Sequence, residues 1–95
     1  MITYDNDTLL RAIMQHGGKT QILVAVEEMS ELQKELLKNI NRGEDNINHI
    51  LEEMADVYIT LRQLMMIYRF NIDDLNNVAS EKQNRLRGRL YEEVR

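Results

Sequence analysis

The 95-residue chain contains no cysteine, no proline and only four glycines. The absence of cysteine excludes a disulfide framework, a thiolate zinc site and a cysteine nucleophile, and it agrees with a reducing compartment. Proline and glycine are the residues that interrupt helices most strongly, so their scarcity predicts few and long elements. The boundaries of those elements should lie at the glycines.

Long hydrophobic runs are also missing from the sequence. The longest ones, residues 22–26 and 64–68, are far shorter than the roughly 18 residues that a membrane span requires. The first seven residues carry none of the basic side chains that begin a secretory signal. We therefore expect a soluble, cytoplasmic protein with no membrane partner.

The composition, 43% hydrophobic and 29% charged, is that of a globular chain. A chain of this length is expected to form a single domain, over residues 1–95. Such a small domain buries only about 60 to 65% of the surface of its unfolded chain. Because a lone copy would be marginally stable, we expect a homo-oligomer, either a dimer or a tetramer.

The net charge of −4 is distributed unevenly along the chain. Residues 27–56 contain nine acidic and three basic side chains, a net charge of −6. Residues 80–95 contain five basic and three acidic side chains, a net charge of +2. Nucleic-acid grooves need dense lysine and arginine, so the acidic middle of the chain argues against nucleic acid as a partner.

Hydrophobic periodicity predicts the long elements. Between Gly18 and Gly43, apolar residues recur at every third or fourth position, which predicts a helix over about residues 19–41. The same spacing resumes after Gly43 and continues to about residue 69. Asp45 or Asn46 is suited to cap the start of that second long helix.

Two flanking helices complete the predicted fold. A short apolar pattern precedes Gly17, and a longer one begins with the capping signal at residues 71–74 and continues to Leu90. The connection around Gly43 is only about four residues long, so the two long helices should be antiparallel neighbours. The predicted fold class is all-α: an antiparallel helical hairpin plus flanking helices, of the four-helix-bundle type and assembled as an oligomer.

Both long helices carry the same seven-residue pattern, at residues 26–32 and 51–57: apolar, Glu, Glu, Met, small, acidic, apolar. At 100° per residue, this pattern places two acids of each helix on the same flank of the hairpin. A symmetric turn would also put Glu31 at the level of Asp56. One site should therefore collect four carboxylates, those of Glu28, Glu31, Glu53 and Asp56.

Four carboxylates at close range repel one another unless a cation lies among them. Oxygen ligands suit hard divalent cations, so the pattern predicts a site for Mg²⁺, with Mn²⁺ as the alternative ion. A simpler interpretation is a solvated acidic flank in which Glu28 and Glu31 pair with Lys34 or Lys38. The doubled arrangement of the acids favours the metal site.

This spacing, E-x-x-E followed by E-x-x-D, resembles the signature of the MazG-like all-α nucleoside triphosphate pyrophosphohydrolases over about residues 17–90. The resemblance implies a Mg²⁺-dependent hydrolase, dimeric or a dimer of dimers, that converts an NTP or dNTP to a nucleoside monophosphate and pyrophosphate. It implies that Glu28, Glu31, Glu53 and Asp56 are catalytic metal ligands. Glu27 is then a candidate to orient or deprotonate the attacking water.

A triphosphate substrate also needs cationic side chains. Lys82, Arg85 and Arg89 lie on one face of the predicted last helix, where the family often has a basic cluster, and they are candidate phosphate-binding residues. The alternative is that these side chains only complement the helix dipole and neighbouring glutamates. Gln21, near the start of the second helix, is a candidate nucleotide contact.

Two other functions fit parts of the sequence. One is a non-catalytic helical dimerisation or interaction module, in which the acidic flanks are solvated and the hairpin binds another helix. The other is a small regulatory dimer that places its basic tail on nucleic acid, which the few basic residues of the chain disfavour.

Overall fold

The computed structural model describes residues 6–94, and these residues form four α-helices. The helices are α1 (Asn6–His16), α2 (Gly18–Arg42), α3 (Ile47–Tyr68) and α4 (Ile72–Val94). No strand occurs in this range, which confirms the predicted all-α class. None of the described helices has both the length and the hydropathy needed to cross a membrane. Residues 1–5, considered above as a leader, and Arg95 of the basic tail lie outside the described residues.

The first two helix boundaries lie at glycines, as predicted, whereas no glycine separates α3 from α4 and Gly88 lies inside α4. Gly17 alone separates α1 from α2 and has a φ of 89°, while Gly43 ends α2 with a φ of 64° and donates its N–H to the Lys38 carbonyl. Side chains rarely tolerate these positive φ values, which explains why glycine occupies both positions. Arg69 ends α3 in the same left-handed conformation, with a φ of 61°.

The centre of the molecule is the antiparallel pair of α2 and α3, which pack against each other along their length. The short α1 packs against both helices at the end of the hairpin away from the turn. Gln63 of α3 fixes α1 there by donating from Nε2 to the Leu9 carbonyl at 3.4 Å. Gly18 lies at the same end, where a Cβ would make an ordinary van der Waals contact with Ile67 Cγ2 at 3.8 Å, so the packing there does not require glycine.

A hydrogen-bond network, here called the turn clasp, joins the two helices at the other end. Asn46 is buried and donates from Nδ2 to the Glu35 carbonyl at 2.9 Å and to Glu35 Oε2 at 2.7 Å. Asn39 donates to the Glu44 carbonyl at 3.1 Å and to Asn46 Oδ1 at 3.3 Å. Asn46 occupies the N-cap position of α3 without a capping hydrogen bond. The prediction that its side chain caps α3 was therefore wrong, because the side chain reaches back to α2.

The start of α4 has the predicted capping signal. The backbone N–H of Asn71 donates to Asp74 Oδ2 at 2.8 Å, and the N–H of Asp74 donates to Asn71 Oδ1 at 2.9 Å. This reciprocal pair satisfies two amides at the helix start. Beyond it, α4 is not packed along the hairpin, and its side chains are exposed over residues 72–92.

Candidate metal centre

Two helices bring three carboxylates together near the middle of the hairpin. Each of Glu28, Glu53 and Asp56 offers an oxygen that lies within 4.8 Å of an oxygen of the other two. Glu28 and Glu53 are half-buried in the seam between α2 and α3, and Asp56 is exposed at its edge. We call these three residues the carboxylate cluster.

The turn clasp sets the register that produces the carboxylate cluster. Glu28 lies seven residues before Glu35 on α2, and Glu53 lies seven residues after Asn46 on α3. Seven residues are about two helical turns, so the register in which Asn46 binds Glu35 also brings Glu53 to Glu28. The three acids meet because both helices are continuous from the clasp to the cluster.

The electrostatics of the carboxylate cluster favour a cation. Partial burial raises the pKa of Glu28, and the neighbouring charges of Asp56 and Glu53, a hydrogen bond shared with Asp56, and Glu27 raise it further, in that order. Glu53 Oε2 is buried and has no hydrogen-bond partner among the described residues. A buried anionic oxygen without a donor is costly, and a divalent cation with oxygen ligands satisfies it. The residues present therefore fit a divalent metal ion.

The structure places the two remaining acids of the predicted site beside the cluster. Glu31 is exposed one turn after Glu28, and its carboxylate is not part of the group within 4.8 Å. Glu31 was expected at the level of Asp56, but the carboxylate oxygens that lie within 4.8 Å of one another belong to Glu28, Glu53 and Asp56. Glu27 is exposed next to Glu28 and adds the smallest of the repulsions that raise its pKa.

The three predicted phosphate ligands lie elsewhere in the chain. Lys82, Arg85 and Arg89 are exposed in the middle and second half of α4. Because α4 is not packed along α2 or α3, the fold of a single chain does not join these cations to the carboxylate cluster.

Gln21 has an unusual environment for an amide. Its residue is only 7% exposed, yet its side chain has no hydrogen-bond partner among the described residues. It precedes Glu28 by two helical turns and lies on the same face of α2. The polar atoms of its amide are not fully buried, so they keep contact with solvent and are accessible to a ligand.

Two buried polar residues on α3 were missed by the sequence analysis. Thr60 is 4% exposed and donates to the Val57 carbonyl at 2.8 Å, and Gln63 is 5% exposed and binds α1 as described above. They follow Asp56 by four and seven residues, so helical spacing was the signal that could have found them. The seam beyond the cluster is therefore polar.

No protein-family model, curated protein or solved structure matches this chain. The family resemblance accordingly rests on the carboxylate pattern in the sequence.

The chemistry open to the carboxylate cluster follows from its donor set. Three carboxylates from two rigid helices can hold one hard divalent cation and leave its other positions to water and phosphate oxygens. Such a site suits hydrolysis of a phosphate anhydride, where charge neutralisation and positioning dominate.

Proposed function

We propose that this protein is a cytoplasmic, Mg²⁺-dependent nucleoside triphosphate pyrophosphohydrolase of the MazG-like type. It would cleave an NTP or dNTP between the α and β phosphates and release a nucleoside monophosphate and pyrophosphate. The observation that carries the proposal is the convergence of Glu28, Glu53 and Asp56, with a buried oxygen of Glu53 that no donor satisfies.

In this proposal the metal is held by the carboxylate cluster. Glu31, one turn along α2 on the same flank, is the fourth ligand that the resemblance implies. When bound, Mg²⁺ would offset the charge of the triphosphate and make the phosphorus under attack more electrophilic. Mn²⁺ has the same ligand preference and should substitute for it.

Other residues of the chain would bind and orient the substrate. Glu27, which is exposed beside the cluster, would orient the attacking water and accept its proton. Lys82, Arg85 and Arg89 would bind the phosphates that are not neutralised by the metal. The unpartnered amide of Gln21 offers both a donor and an acceptor to a nucleotide.

The experiment that tests this proposal compares two neighbouring glutamates. Glu53→Gln removes a charge from the carboxylate cluster, so we expect pyrophosphate release to fall by at least about a hundredfold and Mg²⁺ binding to be lost. Glu52→Gln is the matched control, because Glu52 is 73% exposed and pairs with His49 at 3.7 Å outside the cluster. Wild-type turnover by Glu53→Gln, with unchanged far-UV circular dichroism, would overturn the proposal.

A second candidate function is a non-catalytic helical interaction module. The exposed apolar side chains along α3 and α4, such as Leu51, Leu61 and Leu86, favour it. In that case the acids of the hairpin would be solvated, and neither nucleotide turnover nor Mg²⁺ dependence would be measured.

A further inference from the structure

The seam between α2 and α3 holds a second group of polar side chains, on the far side of the carboxylate cluster from the turn clasp. Gln21 of α2 and Thr60 and Gln63 of α3 are 7%, 4% and 5% exposed. The described part of the chain buries one other polar residue, Asn46, which belongs to the clasp. We call Gln21, Thr60 and Gln63 the polar triad.

The register of the hairpin sets the members of the polar triad opposite one another. Gln21 precedes Glu28 by seven residues, and Thr60 and Gln63 each follow an acid of the carboxylate cluster by seven residues. Because α2 and α3 are antiparallel, these steps run in the same direction along the hairpin. The polar triad therefore repeats the arrangement of the carboxylate cluster two helical turns farther along, at a rise of about 10.5 Å.

The hydrogen-bonding groups of the polar triad are only partly used within the chain. Thr60 donates to the Val57 carbonyl at 2.8 Å, and Gln63 donates from Nε2 to the Leu9 carbonyl at 3.4 Å. Gln21 has no hydrogen-bond partner among the described residues, and its polar atoms are not fully buried. The triad thus keeps the donor and the acceptor of one amide and the amide oxygen of another for a ligand.

This set of groups matches the hydrogen-bonding edge of a nucleobase. Each base presents neighbouring donors and acceptors without a charge, and a glutamine amide can pair with such an edge through its oxygen and its nitrogen together. The polar triad contains no charged side chain, so it does not suit a further phosphate group. Its chemistry therefore selects a neutral, planar part of a ligand.

The separation of the two groups suits a single nucleotide. A nucleoside triphosphate carries its base beyond the sugar, so a site that holds the phosphates on a metal must read the base some distance away. The rise of about 10.5 Å between the cluster and the triad is comparable to the span from the α phosphate to the far edge of the base. One nucleotide that lies along the seam could contact both groups.

Helix α1 covers this end of the seam. It packs against both long helices, its Leu9 is 8% exposed, and Gly17 alone connects it to α2. A base that pairs with Gln63 would compete with the Leu9 carbonyl for Nε2. Binding of the base would therefore loosen the contact that fixes α1 to α3.

We propose that the polar triad is the base-recognition site of this protein. The amides of Gln21 and Gln63 read the hydrogen-bonding edge of the nucleobase, with Thr60 beside them, while the carboxylate cluster holds the metal and the phosphates. This inference rests on the proposed function and extends it, because it names the residues that select among nucleotides.

Base selectivity tests the proposal. Gln21→Met and Gln63→Met keep the size of the side chain and remove its hydrogen-bonding groups. Each should lower kcat/KM for the preferred nucleotide by about ten- to a hundredfold, because the base loses a paired amide. Nucleotides with the other bases do not make these hydrogen bonds, so their kcat/KM should stay close to that of wild type.

Two controls separate base recognition from a structural effect. Gln33→Met makes the same substitution at an exposed position of α2 and should leave the selectivity profile unchanged. Inorganic triphosphate has no base, so its binding in Mg²⁺ should be the same for wild type and both triad variants. A wild type without base preference, or triad variants that lower kcat/KM equally for every nucleotide, would overturn the proposal.

Nucleoside binding distinguishes this inference from the proposed function. Free nucleosides are titrated into wild type and Gln21→Met without metal, and chemical shifts are followed by NMR. An inactive wild type that binds a nucleoside only with Gln21 intact would contradict the pyrophosphohydrolase assignment and support the base site. An active wild type whose selectivity both triad variants retain would overturn the base site and leave the assignment intact. Inactivity without nucleoside binding would overturn both.

Discussion

Asn46 joins the two long helices of the hairpin near the turn. It is 7% exposed, and its amide donates twice to Glu35 across the gap between the helices. This hydrogen bond is the main reason why the pKa of Glu35 lies below its ordinary value, with the charge of Lys38 as a smaller cause and partial burial opposing both. The same contact sets the register that assembles the carboxylate cluster.

Asn46→Ala is therefore expected to destabilise the hairpin. At about pH 7 the free energy of unfolding should fall by about 1–3 kcal/mol, because buried polar groups lose their partners. A carboxylate with a lowered pKa stabilises the fold above its ordinary pKa of 4.5, and this contribution disappears as the pH falls through the lowered value. The difference in the free energy of unfolding between wild type and variant, measured by urea titration, should therefore be smaller at about pH 3 than at about pH 7.

The control for this prediction is Asn48→Ala. Asn48 lies on the exposed side of the first turn of α3, so its loss should change stability little at either pH. If wild type and Asn46→Ala differ in the free energy of unfolding by the same amount at both pH values, the role assigned to Glu35 is contradicted.

The sequence predicted four carboxylates at one site, and the structure brings Glu28, Glu53 and Asp56 together without Glu31. Spacing alone placed Glu28, Glu53 and Asp56 on one flank of a hairpin, because helical geometry and a short turn leave few alternatives. The level of Glu31 depended on the turn, and a side chain that reaches from Asn46 to α2 could not be predicted from periodicity. The burial of Thr60 was missed for a related reason, since a polar residue does not contribute to an apolar pattern.

At the scale of the elements, the backbone requires glycine at position 43 and does not require it at position 88. Gly43 has a φ of 64°, and a Cβ there would meet nothing within 4 Å, so only its backbone conformation demands glycine. Gly88 lies inside α4 with equally open space around it and without a positive φ. The two positions form a matched pair.

We expect opposite effects from the same substitution at these positions. Gly43→Ala should reduce the free energy of unfolding by about 1–2 kcal/mol, because a side chain is strained in the left-handed conformation. Gly88→Ala should increase it by about 0.5–1 kcal/mol, because alanine loses less backbone entropy in a helix. Chemical denaturation of both variants measures the difference. A neutral Gly43→Ala would mean that α2 does not end at this residue.

The elements themselves were predictable because breakers are so few. The glycine breaks and the apolar spacing gave both long helices to within a few residues, and the capping pair Asn71 and Asp74 marked the start of α4. The direction in which α4 leaves the hairpin was not predictable. It depends on the conformation of Arg69, a residue type with no preference for positive φ.

At the scale of the whole molecule, the exposed apolar stripe of α4, formed by Leu75, Val78, Leu86 and Leu90, predicts association with another chain. Leu86→Lys should raise the dimer dissociation constant by on the order of a hundredfold, because the interface would then bury an unpaired charge. Tyr91→Lys is the control, since Tyr91 is 71% exposed and lies away from the stripe. Sedimentation across a range of protein concentrations distinguishes the two variants. Equal dissociation of both, or of neither, would place the interface elsewhere.

The central claim concerns the reaction, and its most direct test is the identity of the products. Wild-type protein is incubated with the common NTPs and dNTPs in Mg²⁺ or in EDTA, with Glu53→Gln alongside, and the products are identified by ³¹P NMR. The account predicts a nucleoside monophosphate and pyrophosphate in equal amounts from at least one nucleotide, only with Mg²⁺ and only with an intact carboxylate cluster. Release of inorganic phosphate and a nucleoside diphosphate would contradict the account. So would the absence of any product from any nucleotide when the protein is folded and supplied with Mg²⁺.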